Sequence, residues 1–585
     1  MQTEGWICAG TLEQLQSEGA KVIKGGIVVF PHEDGAAAVD NRCPHLGFPL
    51  HLGSLCNGIL TCHWHHARFD VCSGGTLDPW ADDALAHDVM IEGSEVWVNP
   101  APRRTMTIAK LNQRLQEGLE QNIGIVIAKA VVGLIEAGVS EDEIVRVGII
   151  YGTSQSSGWG SGLTILTAMR NVLPKLDKQG RILALYHGLV HVARSAAGRA
   201  PRWLLGPLPS ADTSAKRLAD WYRNCVEVRD TQGAEKVLLT AIAEGMSPDE
   251  LADMMLVAVT DHFFLDGGHT LDFHNKAFEM QQVIGRDAAE TILASLTPIL
   301  RNPTRSEEQH HWQSPIDLVT PLKEVFEQLQ VADWSQQAKA PKVPFDDELF
   351  VEQLLTDQSL VMIQQLADAL LGGIEPARLA RLITYAAAER IVRFHTQNDF
   401  GDWFAVLHTF TYAHAVHERL LRSKEPLLYR AMFYGAVSIY HDRFLNVPRA
   451  PRPKKDVDNR IADAPMDDLL SLLDRRQQVE EAAGWVAGYL DTGRDVEPLL
   501  NTLGHCLLRE DAEFHSFQMY EAAIVEYDHW CSLKGTEALA ERAANTMLIA
   551  CARYLAAHAP TAREMPHTAT IAWRLHRGER LFESE

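Results

Sequence analysis

The hydrophobic pattern of the sequence changes once, near residue 104, and this change limits what the chain can fold into. Before it, short apolar runs alternate with polar residues and are interrupted by glycine, as in 21–30 and 96–98. Such runs are typical of short strands. After Pro100 and Pro102, apolar residues recur at helical spacing to the end of the chain. We therefore predict an all-β domain at 1–104 followed by a large all-α region.

The helical region carries a local pattern that repeats. An apolar helix stops at a glycine, a few polar residues follow, and another apolar helix begins. The stops are Gly138, Gly245, Gly373 and Gly493. Proline-rich and basic stretches at 337–344 and 448–455 predict breaks between units. The sequence thus predicts two helical, histidine-rich halves, at 105–340 and 345–585.

Composition excludes several classes of protein. The formal net charge of -23 disfavours nucleic acid and anionic membranes as partners. The first residues lack the basic and apolar regions of a secretory signal. Nine cysteines in 585 residues do not form a disulfide framework. We therefore expect a cytoplasmic protein that binds neither nucleic acid nor membrane, with oligomerisation left open.

Two short loops in the β domain carry metal-ligand spacing. Cys43 and His45 form Cys-x-His, and Cys62 and His65 form Cys-x-x-His after a gap of sixteen. A Rieske [2Fe-2S] centre needs two thiolates on one iron and two imidazoles on the other, and each loop supplies one of each. A zinc site would accept the same residues, although zinc motifs usually group cysteine with cysteine.

These loops resemble the oxygenase and ferredoxin branch of the Rieske family. The respiratory branch has an additional cysteine in each loop and a serine near the cluster, whereas this chain has Phe48, Trp64 and Ala67. The resemblance implies a [2Fe-2S] cluster of low potential. It further implies electrons supplied by an NAD(P)H-dependent reductase or a ferredoxin.

A Rieske centre has no substrate site of its own, so the helical region is expected to hold the chemistry. Asp266, His269 and His274 match the 2-His-1-carboxylate pattern of non-haem iron sites. The repeats suggest a different set, in which a carboxylate and then a histidine recur on apolar helices. The repeat-derived residues are Asp261, Glu389, Glu510, His274, His414 and His515.

Further histidines extend the list of candidate iron ligands. His187 and His191 form a His-x-x-x-His pair that resembles a helix of questin oxidase-like proteins, which are helical and oxidise aromatic polyketides. The repeat-derived acids lack the Glu-x-x-His signature of ferritin-like di-iron proteins, which argues against that family, and one iron or two remains open. The other candidates are His262, His269, His395, His408, His417 and His505.

The leading hypothesis is a Rieske-dependent non-haem iron oxygenase. Electrons would pass from the cluster to a mono- or dinuclear iron site, which uses O2 to oxidise an apolar, aromatic small molecule. One alternative is an electron-transfer or redox-sensing protein whose helical part binds a partner. Another is a metal-dependent oxidase that inserts no oxygen.

Overall fold

The computed structural model describes residues 5–104, 106–209, 213–334, 344–399, 401–453, 464–579 and 581. The chain forms two compact units. Unit 1 consists of Met1–Ile144 and Met565–Glu585, and unit 2 consists of Val145–Glu564. None of the helices in these described ranges is long and apolar enough to cross a membrane.

Unit 1 is built on two antiparallel sheets. The larger has six strands in the order β1-β9-β8-β4-β3-β2, and the smaller has three in the order β5-β6-β7. Alternation in β3 and β4 pairs Val28 with Val39 and Phe30 with Ala37 across the strands. The strands are β1 Ile7–Thr11, β2 Lys21–Ile23, β3 Ile27–His32, β4 Gly35–Asp40, β5 Ser54–Cys56, β6 Ile59–Thr61, β7 Arg68–Asp70, β8 Ala86–Glu92 and β9 Glu95–Pro102.

In the part of unit 1 that the structure describes, four helices accompany the sheets. One precedes β2, two follow the sheets, and the last comes from the end of the chain. A core around the smaller sheet includes Cys43, Cys62 and Phe69, which are at most 2% exposed. The metal-ligand loops are therefore anchored in apolar packing. The helices are α1 Leu12–Glu18, α2 Ile108–Glu120, α3 Gly124–Glu136 and α24 Glu564–His576.

Unit 2 is helical throughout its described residues, because its apolar positions recur every three or four residues and form stripes that pack on one another. α4 Glu141–Thr153 leads into it from unit 1. The helices that follow are α5 Ser161–Val172, α6 Lys178–Ala196, α7 Ala215–Glu227, α8 Thr231–Ala243, α9 Pro248–Thr260, α10 His269–Ile284, α11 Ala289–Ala294, α12 His310–Gln313, α13 Val319–Val331, α14 Asp347–Leu354, α15 Ser359–Leu371, α16 Pro376–Val392, α17 Asp402–Leu420, α18 Arg430–His441, α19 Asp467–Leu473, α20 Val479–Asp491, α21 Glu497–Leu508, α22 Phe514–Cys531 and α23 Ala540–His558.

The predicted succession of an all-β domain and a large helical region is confirmed. The two compact units, however, divide the chain differently from the ranges 1–104, 105–340 and 345–585. Ion pairs join α2 and α3 to Asp82 in the loop between β7 and β8, and both predicted helical halves contribute to unit 2. Most of the predicted break at 337–344 and the end of that at 448–455 lie outside the described residues.

Candidate metal centres

The two loops that carry the cysteine and histidine pairs have the same backbone geometry. In each, the cysteine N–H donates to the carbonyl five residues later, Phe48 at 2.7 Å in the first loop and Ala67 at 2.8 Å in the second. The cysteine carbonyl accepts the N–H four residues later, from Gly47 at 2.7 Å and His66 at 3.0 Å. Gly47 and His66 both adopt left-handed φ, 84° and 61°. The loops are therefore matched turns that present equivalent positions.

The matched turns bring the four candidate ligands together. The His45 and His65 rings lie edge to face, with centroids 4.9 Å apart. The Cys43 and Cys62 thiols hydrogen-bond to each other, which raises the pKa of Cys43 and lowers the pKa of Cys62. The cysteines are buried and His65 is exposed, so the cluster site has a protein-facing and a solvent-facing end.

The chemistry of these donors fits a [2Fe-2S] cluster. Backbone N–H groups of His45 and Leu46 point at the sulfur of Cys43, and those of Trp64 and His65 point at Cys62. Such hydrogen bonds stabilise thiolates. The Nδ1 atom of His45 is buried without a hydrogen-bond partner. A buried imidazole nitrogen that has no hydrogen-bond partner and lies beside two thiols is expected of a metal-binding residue.

A buried lysine from α3 supports the first loop. Lys129 Nζ donates to the Pro44 carbonyl at 2.5 Å and lies 3.2 Å from Asp82 Oδ2. Arg114 of α2 binds the same carboxylate at 2.8 Å. Arg114 also binds Glu117 Oε2 at 2.5 Å, so two carboxylates balance these two cations beside the first cluster loop. These helices lie beyond the β domain in sequence, so they add an electrostatic feature of their own.

A second candidate centre lies in unit 2, where three histidines converge from three helices. His269 begins α10, His408 lies in α17, and His515 is near the start of α22. One ligand nitrogen from each lies within 4.8 Å of the others. The Nε2 atoms of His408 and His515 are 2.9 Å apart, which suits two imidazoles that bind one metal at about 2.1 Å.

The electrostatics of this group favour metal binding over protonation. Burial, with the neighbouring imidazoles, lowers the pKa of His269 to about 4 and that of His408 to about 3. Both rings are therefore neutral at physiological pH and keep a lone pair for a metal. The three side chains are only partly buried, so a coordination position would remain for an exogenous ligand.

A carboxylate orients the third histidine. Glu513 accepts the Nδ1–H of His515 at 2.7 Å and also caps α22, accepting backbone N–H bonds from His515 and Ser516. Burial alone would raise the pKa of Glu513, but the hydrogen bonds from His515 and Ser516 hold it at about 2. Because Nδ1 keeps its hydrogen, Nε2 of His515 presents the lone pair to the metal position.

A tight loop places His269 at the start of α10. Phe264, Asp266, Gly267 and Gly268 all have left-handed φ, between 42° and 93°. A side chain on Gly268 would lie 3.0 Å from both Phe264 and Tyr412. Non-glycine residues held in this region store about 1–3 kcal/mol each and cluster at functional sites. The loop therefore fixes His269 at an energetic cost that the surrounding packing must offset.

A cavity of about 290 Å³ lies next to His515, behind two residues that contact this histidine. Phe404 and Glu513 form part of its lining, and both also contact His515, with the Phe404 ring centroid 4.6 Å from that of His515. Leu507 and Leu555 add apolar surface. The combination of a small, mainly apolar cavity and a few polar groups is typical of small-molecule sites.

Of the fifteen candidate iron ligands named from sequence, the structure brings three, His269, His408 and His515, into this group. The three repeat-derived acids instead pair with separate arginines. Asp261 binds Arg223 and Arg430, Glu389 binds Arg452 and Arg393, and Glu510 binds Arg563. Their role as metal ligands stays a prediction, and each has a structural role as a buried or half-buried ion pair.

The remaining predicted histidines and Asp266 each have other partners. In the predicted Asp266, His269 and His274 motif, only His269 joins the group, because Asp266 accepts from Thr304 N and His274 turns to Thr270 O within its own helix. His262 binds Glu307, and His414 binds Glu526. His187 reaches the Leu508 carbonyl, His191 packs on Phe517, and His395 accepts from Gln397 N.

Two contributors were difficult to select from sequence. His408 is one of many histidines on an apolar helix, and only the fold shows that it faces His515. Glu513 stands two residues before His515, and this Glu-x-His spacing at a helix start was the available signal. A carboxylate that caps a helix and also binds the ring two residues on is a local pattern that sequence could have suggested.

Comparisons with known proteins concern the β domain. The Rieske [2Fe-2S] domain family matches residues 5–85. The ferredoxin component of the naphthalene 1,2-dioxygenase/salicylate 5-hydroxylase systems of Ralstonia sp. is 33% identical over 98 residues, which cover 16% of this chain and 94% of the ferredoxin. Human apoptosis-inducing factor 3 is 31% identical over 106 residues, and the match spans only 18% of its length.

A solved structure shows the same local likeness. The ferredoxin of carbazole 1,9a-dioxygenase from Nocardioides aromaticivorans is 27% identical over 16% of this chain and 98% of the ferredoxin, with a TM-score of 0.16. Together with the matched turns and the four ligands, the sequence matches show that the chain belongs to the Rieske [2Fe-2S] family through a domain at residues 5–85.

Proposed function

We propose that the protein is a Rieske-dependent oxygenase whose unit 2 binds a catalytic metal through His269, His408 and His515. The observation that carries the proposal is the convergence of three imidazoles from three helices, one of them oriented by Glu513, near a small apolar cavity. Catalytic metal sites commonly have three protein ligands and an open position. Iron is the metal that would use electrons from a Rieske cluster to activate O2.

The residues of the chain have separate tasks in this proposal. Cys43, His45, Cys62 and His65 hold the cluster, which carries one electron at a time. Glu513 keeps the hydrogen of His515 on Nδ1, and Phe404 packs against the His515 ring and lines the cavity. The apolar lining would select an aromatic or other apolar small molecule and exclude water from it. The partners would be an NAD(P)H-dependent reductase or ferredoxin, the substrate and O2, in the cytoplasm.

This centre differs from the 2-His-1-carboxylate pattern that the sequence suggested, because all three donors are imidazoles. Imidazole donors suit zinc and copper as well as iron. We propose iron because a Rieske domain in the same chain would supply electrons to it. Metal analysis identifies the ion.

Metal analysis tests the proposal directly. The protein is produced with iron, and its metals are quantified and examined by electron paramagnetic resonance. We expect iron above two per chain in the unaltered protein and close to two in His408→Gln, with the cluster signal retained. His274→Gln, which removes a buried histidine of α10 outside the group, is the matched control and should keep the additional metal. Two iron per chain in all three proteins would refute the metal site.

A kinetic measurement connects the two centres. The cluster is reduced chemically under anaerobic conditions and then exposed to O2, and its reoxidation is followed by absorbance. We expect reoxidation and O2 consumption to be much slower in His408→Gln than in the His274→Gln control. Equal rates would instead favour the second candidate, an electron carrier, which the likeness to ferredoxin components of oxygenase systems also supports.

A further inference from the structure

A row of buried charged and polar side chains runs along the three helices that supply the histidines. One turn beyond His269 on α10 is Asp272, and one turn beyond His515 on α22 is Gln518. Gln518 Nε2 donates to Asp272 Oδ2, and both residues are 2% exposed. The helical turns that follow two of the metal ligands thus meet in a buried amide and carboxyl pair.

The next turns contain a buried lysine and its acids. Lys276 Nζ lies 2.5 Å from Glu521 Oε1 and 3.2 Å from Glu279 Oε2. Asn171 of α5 donates to both acids, at 2.9 Å and 2.8 Å. Lys276 is 1% exposed and Glu521 2%. The charges of Lys276 and Glu279 on α10 and of Glu521 on α22 therefore all act on the buried Asp272 carboxyl.

Histidines of α17 continue the row. His414 Nε2 is 3.8 Å from Glu521 Oε2, while its Nδ1 is 2.8 Å from Glu526 Oε1. Nδ1 of His417 lies 2.9 Å from the same Glu526 oxygen. The side chains of His414, His417 and Glu526 are at most 1% exposed. An imidazole can accept a proton at one nitrogen and release one at the other, so this arrangement suits proton transfer.

The row reaches the surface at the far end of α22. The His417 and His529 rings lie 5.0 Å apart, and His529 Nε2 is 2.5 Å from Glu418 Oε1. The His529 side chain is 32% exposed. The series of groups therefore leads from solvent, through two buried imidazoles and the carboxylate between them, to the turn next to the metal ligands.

From this order of groups we propose that α10, α17 and α22 contain a proton path, with His529 as its entrance and Asp272 as its inner end. The inference rests on the proposed function, since O2-dependent oxidation at the three-histidine site consumes protons, which this path would deliver through the interior of the three helices. A proton taken up at His529 passes to His417, then through Glu526 to His414 Nδ1. The proton on His414 Nε2 then moves past Glu521 to Asp272, so each step takes up and releases one proton.

The charges around Asp272 support its position as inner end. Burial raises the pKa of Asp272 to about 7; Lys276 and His414 act against this, while Glu521 and Glu279 act with it. Burial lowers the pKa of His414, but the hydrogen bond to Glu526 and the charge of Glu521 raise it to about 9. A proton donor at the inner end must be able to hold and release a proton near neutral pH, and Asp272 meets that requirement.

Infrared spectroscopy tests the path without needing a metal or a substrate. A protonated buried carboxyl group absorbs above the amide band, and its band shifts when deuterium replaces the proton. Asp272→Asn assigns the band of Asp272. The protein is mixed with deuterated buffer at slightly acidic pH, and the shift is followed in time. Asp442 is a buried acid whose pKa is also raised to about 7 by burial, and it lies outside the row, so its band is an internal control.

We expect rapid exchange at Asp272 in the unaltered protein. In His414→Gln, exchange should slow by about tenfold or more, because it then needs local opening of the helices. His529→Gln, at the surface, provides the same test if the buried variant folds poorly. His187→Gln, another buried histidine with a backbone partner, should leave the rate unchanged.

The outcomes separate the path from the metal site. Equally rapid exchange in His414→Gln and His529→Gln, or no protonated Asp272 band in the unaltered protein, would overturn the path. Metal content is measured in every variant. Failure to bind metal in the unaltered protein would refute the proposed function while leaving the exchange result to decide the path by itself.

Discussion

At the scale of single residues, Glu513 is the carboxylate that should determine how tightly the three histidines hold a metal. It accepts Nδ1–H of His515 and has its pKa held at about 2. Glu513→Gln keeps a hydrogen-bond acceptor but removes the charge. We expect metal affinity to fall about 10- to 100-fold, as for other carboxylates that orient histidine ligands. Competition with a chromogenic chelator measures the change.

The control for Glu513 is Glu510→Gln. Glu510 lines the same cavity but binds Arg563 rather than a histidine. This control should lose some stability, because the buried Glu510 carboxylate also binds Thr561 and Arg563. Its metal affinity should stay close to that of the unaltered protein. Equal loss of affinity in both variants would mean that Glu513 acts through folding, not through His515.

Lys129 is the residue expected to set the potential of the Rieske cluster. It touches the Pro44 carbonyl in the first cluster loop, and it shares Asp82 with Arg114. Reduction adds negative charge to the cluster, and a nearby buried cation stabilises that charge. Lys129→Met should therefore lower the potential by about 60 mV, equivalent to about 1.4 kcal/mol for one electron. A redox titration followed by electron paramagnetic resonance gives the value.

Lys110→Met is the matched control for Lys129. Lys110 lies on α2 of the same unit, is 38% exposed and is 3.6 Å from Asp83. Solvent screens an exposed charge, so its removal should change the potential little. If the cluster has the same reduction potential in Lys129→Met and Lys110→Met, the charge of Lys129 on α3 does not influence it.

At the scale of elements, the loop that leads into α10 combines strain with function. Gly268 has a φ of 93°, and a methyl group there would press on Phe264 and Tyr412. Gly268→Ala should cost about 1–3 kcal/mol of folding stability and should also weaken metal binding, since the next residue is His269. Thermal unfolding and chelator competition measure the two effects.

The other end of the same helix supplies the comparison. Gly285 follows α10 with a φ of 110°, so Gly285→Ala introduces similar backbone strain away from the histidines. Stability should fall in both variants, whereas metal affinity should fall only in Gly268→Ala. If both lose metal equally, the loop before α10 has no special role in placing His269.

Local sequence patterns predicted the helices and their ends, whereas tertiary contacts determined which side chains meet. Gly138, Gly245, Gly373 and Gly493 all end helices with left-handed φ, as the repeated pattern predicted. The repeat frame was less useful for the site. It equated His274, His414 and His515, yet the structure brings only His515 to the three-histidine group. Which face of each helix points inward depends on packing between distant segments, and one sequence does not contain that information.

The two candidate centres illustrate the same difference. The proposed cluster ligands Cys43, His45, Cys62 and His65 lie in two short loops of fixed spacing, so sequence alone was enough to propose them. The second centre draws on His269, His408 and His515, which are separated by more than a hundred residues each. Spacing carries no signal over such distances, because the loops between helices vary freely in length.

At the scale of the whole molecule, the helical unit buries several of its titratable groups. Burial lowers the pKa of His187 and of His274 to about 4, well below the ordinary value of 6.5. His414 behaves oppositely: although burial lowers its pKa, Glu526 and Glu521 raise it to about 9. Its contribution to stability is present below pH 6.5 and is lost as the pH rises through 9.

The lowered pKa values of His187 and His274 predict that acid destabilises the protein before its carboxylates are protonated. Between pH 6.5 and 4 the unfolded chain binds protons that folded His187 and His274 cannot, so the free energy of unfolding falls as the pH falls through this window. Each histidine should account for about 2–3 kcal/mol between pH 6.5 and about 4.5. Urea denaturation at several pH values measures the slope. The double variant His187→Gln, His274→Gln should show a shallower slope, whatever its absolute stability, because its buried side chains no longer titrate; a slope unchanged from that of the unaltered protein would contradict the assignment of acid sensitivity to these two residues.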